Sequence, residues 1–388
     1  MAAVDWQAFQ YEVYFGGMGG QVPDLPMTYD GLVERARDEL SDGAFAYVAG
    51  SAGLERTEAA NRSAFDEWEL VPRMLVDVAE RDQSTTLFGR DLPAPVLLAP
   101  VGVQSIVHDE AELAAARAAS ALGLPFTCST VSSFSLEQVA EASGDGPRWF
   151  QLYWPNDPEV ATSLVQRAER AGYDAIVVTL DTKMLAWRPR DLATAYLPFL
   201  HGEGLANYFT DEAFCAPLEQ SPEDDPQTAI LRWAGLFSHR AATWEDLDAL
   251  RGATDLPILV KGVLHADDAR RAIDVGLDGI VVSNHGGRQV DGAIGAVAAL
   301  PGVVDAVEDE VPVLFDSGVR AGSDIVKALA LGASAVLVGR PYVWGLALAG
   351  EDGVRHVLRS LLAEMDLTMA LCGTPTLADL GRHLFRHH

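Results

Sequence analysis

The 388-residue chain is poor in positive charge and poorest in lysine. Lys183, Lys261 and Lys327 are its only lysines, and 28 Lys+Arg against 56 Asp+Glu leave a net charge of −28. A surface of that sign repels phosphate backbones and anionic headgroups, which argues against nucleic-acid and membrane partners. Cysteine is equally sparse. Cys128, Cys215 and Cys372 lie far apart with no CxxC pair, which excludes a disulfide scaffold and a cysteine zinc site and suits a reducing, cytoplasmic compartment. No apolar run reaches about 18 residues without a charge, Pro or Gly, so no membrane span is expected. Met1–Gln10 has acid and Trp in place of a basic region and an apolar run, so no signal peptide is expected either.

What is present is a core-building chain, 49% apolar and 22% charged. From residue 95 one theme repeats: a short apolar run, a loop, then an amphipathic stretch. The runs are PVLLAP (95–100), PFTCST (125–130), WFQLY (149–153), AIVVTL (175–180), PILVKG (257–262), GIVVSN (279–284), PVLFDS (312–317) and AVLVGR (335–340). Continuous, β-branched runs mark strands buried on both faces of a parallel sheet. Helical patterns such as 110–122, 158–171, 244–250, 267–275 and 323–331 lie between them. Eight such units in series predict a (β/α)8 TIM barrel spanning 95–388, with a tail at 374–388. A doubly wound sheet is the rival, but no GxGxxG follows the first strand. Residues 1–94 read as a helical segment packing on the barrel. Residues 183–242 read as a long loop or lid after the fourth strand, acidic at 219–227. The aromatic residues Tyr196, Phe199, Tyr208, Phe209 and Phe214 imply that part of it packs.

In such a barrel the C-terminal strand ends surround the active site. Sorted by that criterion, the candidates are Pro100 and Gly102, Ser129, Gln151 and Tyr153, Thr179 and Asp181, Lys261, Ser283 to Arg288, Asp316 to Arg320, and Gly339 with Arg340. Gly318 and Gly339 allow close backbone approach, and Arg320 and Arg340 supply charge before two helix N-termini, a phosphate-site pattern. Of nine histidines only His285 sits on a strand end. His108, His265, His201, His239, His356, His383, His387 and His388 fall in loops, the insertion, a helix or the tail. Histidine suits proton abstraction near neutral pH, and Asp181 would orient it. Lys261 is either a Schiff-base lysine or a fixed positive charge facing an anion. Arg188 and Arg288 bring two further cations, which points to a carboxylate substrate. No acidic cluster suggests a metal.

SNHGGRQVDG (283–292), DSGVRAGSD (316–324), GRP (339–341), FQLYWP (150–155), TLDT (179–182), LVKG (259–262) and YVAGSAG (47–53) resemble the FMN-dependent 2-hydroxy acid oxidising family over nearly the whole chain. The resemblance implies bound FMN, with Ala99, Pro100, Gly102, Ser129, Gln151, Thr179 and Ser283 about its ring and Lys261 at its N1 end. It implies Asp316, Gly318, Arg320, Gly339 and Arg340 at the phosphate. It implies Tyr47, Arg188 and Arg288 on the substrate carboxylate, Tyr153 on the substrate, and His285 as base with Asp181 behind it. The partners implied are a small 2-hydroxy carboxylate and O2, in a homotetramer or homo-octamer. The insertion, WRPRDL (187–192) and TWEDLD (243–248) look most like the lactate 2-monooxygenases, which convert L-lactate and O2 to acetate, CO2 and water. The alternative is an oxidase of lactate, glycolate or mandelate type that releases the 2-oxo acid and H2O2. Three positions depart from common family patterns: Gly102, where many oxidases have Ala, Lys183 after TLDT, and Arg190 beside Arg188.

Overall fold

The computed structural model describes residues 4–237 and 239–386, so His387 and His388 lie outside the described residues. A two-stranded antiparallel hairpin, β1 (Thr85–Leu87) and β2 (Arg90–Leu92), precedes eight parallel strands. These are β3 (Val96–Leu98), β4 (Phe126–Ser129), β5 (Arg148–Tyr153), β6 (Ala175–Thr179), β7 (Ile258–Val263), β8 (Gly279–Val282), β9 (Val313–Phe315) and β10 (Ala335–Val338). They close in the order β10-β3-β4-β5-β6-β7-β8-β9, a (β/α)8 barrel. Every residue of β3, β4, β6, β8, β9 and β10 is buried, which is why these strands read as unbroken apolar runs.

The intervening helices start where local chemistry permits. Asp157 caps Pro158–Arg170, its carboxylate accepting from the N–H groups of Glu159 and Val160. Ser135 and Gln138 form a reciprocal capping box at Leu136–Ser143. Among the described residues the segment before the barrel carries four helices, and also the β1–β2 hairpin, which the pattern analysis did not anticipate. Its Leu87, Phe88 and Leu92 pack with Leu97, Trp149, Leu259 and Leu314 inside the N-terminal end of the barrel. The three-residue strands are too short for alternation to register.

The stretch 183–242, read as a loop, holds the helices Pro189–Thr194, Ala206–Phe209, Glu212–Cys215 and Pro226–Leu236 and the 3-10 turn Pro198–His201. Phe199, Tyr208, Phe214 and Trp233 are buried in it, while Glu219, Glu223 and Asp224 of the acidic stretch are exposed. Arg167 of the barrel anchors it, donating to the Asn207 carbonyl at 2.7 Å and to Asp211 at 3.0 Å. Among the described residues no helix is long and apolar enough to cross a membrane.

One buried carboxyl stands out on the helix Ala111–Ala121. Glu112 is fully buried; Oε1 accepts from the Gln104 N–H at 3.0 Å and the Ser133 hydroxyl at 3.4 Å, and Oε2 has no partner among the described residues. Burial pushes it up to about 7 from its ordinary 4.5. The folded chain therefore holds a proton that the unfolded chain has released between those values, and stability falls as pH rises through that window and levels off above it. Glu112→Gln should remove this slope. Denaturant melts at pH 5 and pH 8 should show the variant losing up to about 3 kcal/mol less than the wild type between the two.

Candidate active site

A cavity of about 1190 Å³, including the part open to solvent, occupies the C-terminal mouth of the barrel. One end is lined by Tyr47, Tyr153, Arg188, His285 and Arg288, the other by Gly318, Arg320, Gly339 and Arg340, with Ala99, Pro100, Gly102, Lys261 and Asp316 between. The strand tips thus bring most of the expected site residues to one continuous space.

At the first end, His285 follows β8 with a left-handed backbone, φ +60°. Its Nδ1 lies 2.9 Å from Asp181 Oδ1 and 3.3 Å from Thr182 Oγ1, and its Nε2 lies 3.2 Å from the Tyr153 hydroxyl. Asp181 can approach because Gly262, at φ +107°, makes room: a Cβ there would stand 2.8 Å from the Asp181 Cβ. Burial works against the Asp181 carboxylate, but His285 and Lys261 hold it below the ordinary carboxylate range. Burial, with Lys261, outweighs Asp181 and holds His285 below the usual imidazole value. The pair is therefore a carboxylate accepting from Nδ1–H of a neutral ring, which makes Nε2 the proton-accepting nitrogen, met in this structure by the Tyr153 hydroxyl. Burial raises the Tyr153 phenol, so Tyr153 stays a donor.

Lys261 Nζ lies 3.2 Å from Asp316 Oδ2 and donates to Ser283 Oγ at 2.9 Å. Burial disfavours the ammonium, but Asp316 and Asp181 outweigh it and hold Lys261 above its ordinary value. A Schiff-base nucleophile must be a neutral amine. A Lys261 whose ammonium Asp316 and Asp181 favour fits the other reading, a fixed cation facing the cavity.

Arg188 is buried, donating to the Arg288 carbonyl at 3.1 Å and to Gln289 Oε1 at 2.9 Å, with Asp191 at 3.8 Å. Arg288 donates to the carbonyls of Tyr47 and Gly50, each at 2.6 Å, and stacks on the Tyr47 ring. Burial and the Arg188 cation push the Arg288 guanidinium down from its ordinary value, a cost that an anion between the two would relieve. Arg190 turns away and pairs with Glu55, and Lys183 donates to the Ala242 carbonyl across the base of the insertion.

At the other end, Arg340 donates to the carbonyls of Val48, Gly50 and Gly286 and to Ser51 Oγ, at 2.9–3.0 Å, with no carboxylate among these partners. Arg320 has Glu58 at 3.6 Å and lies over the Tyr29 ring. A Cβ at Gly339 would meet only ordinary contacts with Ala99 and Val101, at 3.7 and 3.9 Å, so the glycine keeps that wall open. Helices begin at Gly322 and Arg340. Two guanidinium groups and two helix N-termini beside an open wall fit an anionic tail such as phosphate, and Lys261 fits the charge of a ring held midway.

Ser129, Gln151, Thr179 and Ser283 are placed differently. They are buried beneath the cavity wall and bonded to one another or to Lys261: Ser129 Oγ to Gln151 Oε1 at 3.0 Å, and Gln151 Nε2 to Thr179 Oγ1 at 2.9 Å. Residues to which the sequence reading gives no role in the site also contribute. Thr182 touches both Asp181 and His285. Gln289 joins Arg188 to the Asp181 carbonyl, donating to it at 2.8 Å. Ser317 Oγ accepts from the Gly286 N–H at 3.0 Å and braces the His285 loop. Leu185, Phe199 and Phe237 form apolar walls from the insertion. Thr182 and Gln289 stand inside motifs already singled out and Ser317 inside the strand end Asp316 to Arg320, so adjacency was the available signal; among the insertion side chains Phe199 carries the aromatic signal of packing, and Leu185 and Phe237 carry none.

Comparison with known proteins places these features in context. The family of FMN-dependent dehydrogenases matches residues 36–387. The FMN-dependent alpha-hydroxy acid dehydrogenase qulF of Penicillium citrinum is 45% identical over 390 residues, covering 100% of this chain and 97% of that protein. An L-lactate oxidase of Lysinibacillus sphaericus is 45% identical over 356 residues, covering 92% of each. Among solved structures, a crystal structure of mandelate oxidase superimposes with a TM-score of 0.82 at 42% identity, covering 92% of this chain and 97% of that one.

Replacing Lys261 with Met should leave the Asp316 carboxylate buried without its partner, at a cost of about 3–5 kcal/mol. The thermal midpoint of the variant should fall sharply and recover in part when Asp316→Asn is added; an unchanged midpoint would show that the pair is not buried as described.

Proposed function

The chain belongs to the FMN-dependent dehydrogenase family, and on that footing we propose that it oxidises small L-2-hydroxy acids and acts on L-lactate as a 2-monooxygenase: L-lactate + O2 → acetate + CO2 + H2O. The observation that carries the hydroxy-acid reading is the neutral His285 held by Asp181 beside the buried Arg188 and the half-buried Arg288, in a cavity that also offers an anion-binding end. Arg320, Arg340 and the backbone of Gly318 and Gly339 would hold the phosphate of FMN, which when bound would supply an acceptor for the two electrons removed from the substrate carbon. Arg188 and Arg288 would hold the substrate carboxylate, with Tyr47 behind Arg288. Tyr153 would donate to the bound molecule. Nε2 of His285 would take the substrate's proton, and Asp181 would stabilise the resulting imidazolium. Lys261 would offset negative charge gained by the cofactor ring.

Support for the monooxygenase outcome comes from the insertion. Phe199 and Phe237 close the substrate end with a packed aromatic wall, as retention of a small 2-oxo acid requires. The second reading, an oxidase releasing the 2-oxo acid and H2O2, is favoured by relatives of that kind such as the L-lactate oxidase above. The three free thiols support a cytoplasmic setting. The exposed Tyr14, Phe15 and Met18 of the first helix offer an apolar face that a homotetramer or homo-octamer would cover.

Product analysis of aerobic L-lactate turnover separates the two outcomes. Acetate and CO2 in equal amounts are expected, whereas free pyruvate with stoichiometric peroxide would establish the oxidase. His285→Gln should keep FMN bound yet slow anaerobic bleaching of the flavin by L-lactate by about 10²–10⁴-fold; near-normal bleaching would remove His285 as the base.

A further inference from the structure

The loop after β3 runs along the cavity wall from Ala99 to Gln104 and is held in a demanding conformation. Val103 is β-branched and buried, yet its backbone is left-handed, φ 58° and ψ 37°. Residues of that type rarely hold this region, so the surroundings must impose it. The approach to the neighbouring loop is close as well. The Val103 N–H donates to the Val131 carbonyl at 2.8 Å, and a Cβ at Gly102 would stand 2.5 Å from that same oxygen.

The next peptide N–H, that of Gln104, does not turn to backbone. It donates to Glu112 Oε1 at 3.0 Å, the buried carboxyl described above. The same oxygen lies 3.4 Å from Ser133 Oγ; Ser133 Oγ meets Ser105 Oγ at 3.0 Å, and Ser105 Oγ donates to Glu203 Oε2 of the insertion at 2.5 Å. Glu112 thus ties the β3 loop to the β4 loop, and Ser105 of the same β3 loop reaches on to the insertion. A fully buried carboxyl with an unpartnered oxygen is a poor stabiliser by itself, so its presence calls for another role.

We propose that Glu112 is a positioning residue: by accepting the Gln104 N–H it holds Val103 in its left-handed conformation and so sets the cavity wall against which FMN lies. The role rests on the reading of this cavity as the FMN site. It makes a specific demand: Glu112 should matter because Val103 resists its backbone conformation, and a residue that adopts that conformation freely should make Glu112 dispensable.

The test is a double-mutant cycle of Glu112→Ala and Val103→Gly, read as FMN affinity of the apoprotein by flavin fluorescence and as the position of the visible flavin band. Glu112→Ala should weaken FMN binding by about tenfold or more and shift the band. In the Val103→Gly background the same change should cost less than about threefold, because glycine holds a left-handed backbone without a lock. Equal losses in both backgrounds would overturn the proposal. Glu112→Gln, which keeps an acceptor oxygen, should remain within about threefold of wild type, and a loss as large as that of Ala would also overturn it. Should the Ala variant not fold, Glu112→Asp, which withdraws the carboxylate by one methylene, takes its place in the cycle with the same expectations. Wild-type protein that takes up no FMN would sink the reading of the cavity itself, whereas FMN-loaded wild type with no coupling would sink only the role of Glu112.

Discussion

The 2.9 Å contact between Asp181 and His285 is the interaction on which the rest of the site depends. It joins the tips of two strands that are not adjacent, β6 and β8, with β7 between them. For the two to meet, β7 must offer no side chain at that level, and Gly262 provides the gap. Lys261, one residue earlier, then stands beside both members, and Asp316 balances it from β9. Four ionisable groups in one buried space would be costly if any were unmatched. Their arrangement leaves one carboxylate for the ammonium and one for the imidazole, and it turns Nε2 toward Tyr153 at the cavity wall.

The molecule is strongly anionic, yet the cavity is cationic. The difference is local. Arg288 and Arg340 spend their donors mainly on backbone carbonyls of the 47–51 segment and the His285 loop. A carbonyl fixes a guanidinium in place without cancelling its charge, whereas a carboxylate would do both. The segment before the barrel is therefore part of the site: it supplies neutral acceptors that hold cations ready for an anion. Tyr47 shows the same economy, its ring under Arg288 and its carbonyl bonded to it.

How much of this was legible in the sequence follows from range. The eight strands were readable because burial on both faces leaves a run of β-branched residues, a local signal. His285, Lys261 and the Gly-Arg pairs were readable because each sits within a residue or two of a strand end. The hairpin β1–β2 was not, since three-residue strands show no period. The helices of the insertion escaped because most are only four to six residues long, held by distant partners such as Arg167 instead of by amphipathic repeats. Ser129, Gln151 and Thr179 were readable as polar strand residues, but not their mutual bonding, which depends on the register of β4, β5 and β6.

The insertion also bears on what the cavity admits. Its aromatic side chains stack on one another, Phe199 with Trp233 and Phe237, and Phe237 meets Tyr153 edge to face. Arg167 holds the same segment through Asp211, Thr210 and the Asn207 carbonyl. A wall fixed by both packing and buried ion pairs does not yield cheaply to a larger ligand. The width of the cavity at this end is then set by side-chain volume at Phe199 and Phe237 more than by loop motion. The same rigidity bears on chemistry after oxidation. In the proposed reaction a 2-oxo acid held by Arg188 and Arg288 behind this wall would leave only when the wall or the arginine contacts give way, so the proposal ties retention against release to the stiffness of the insertion and not to the identity of the base.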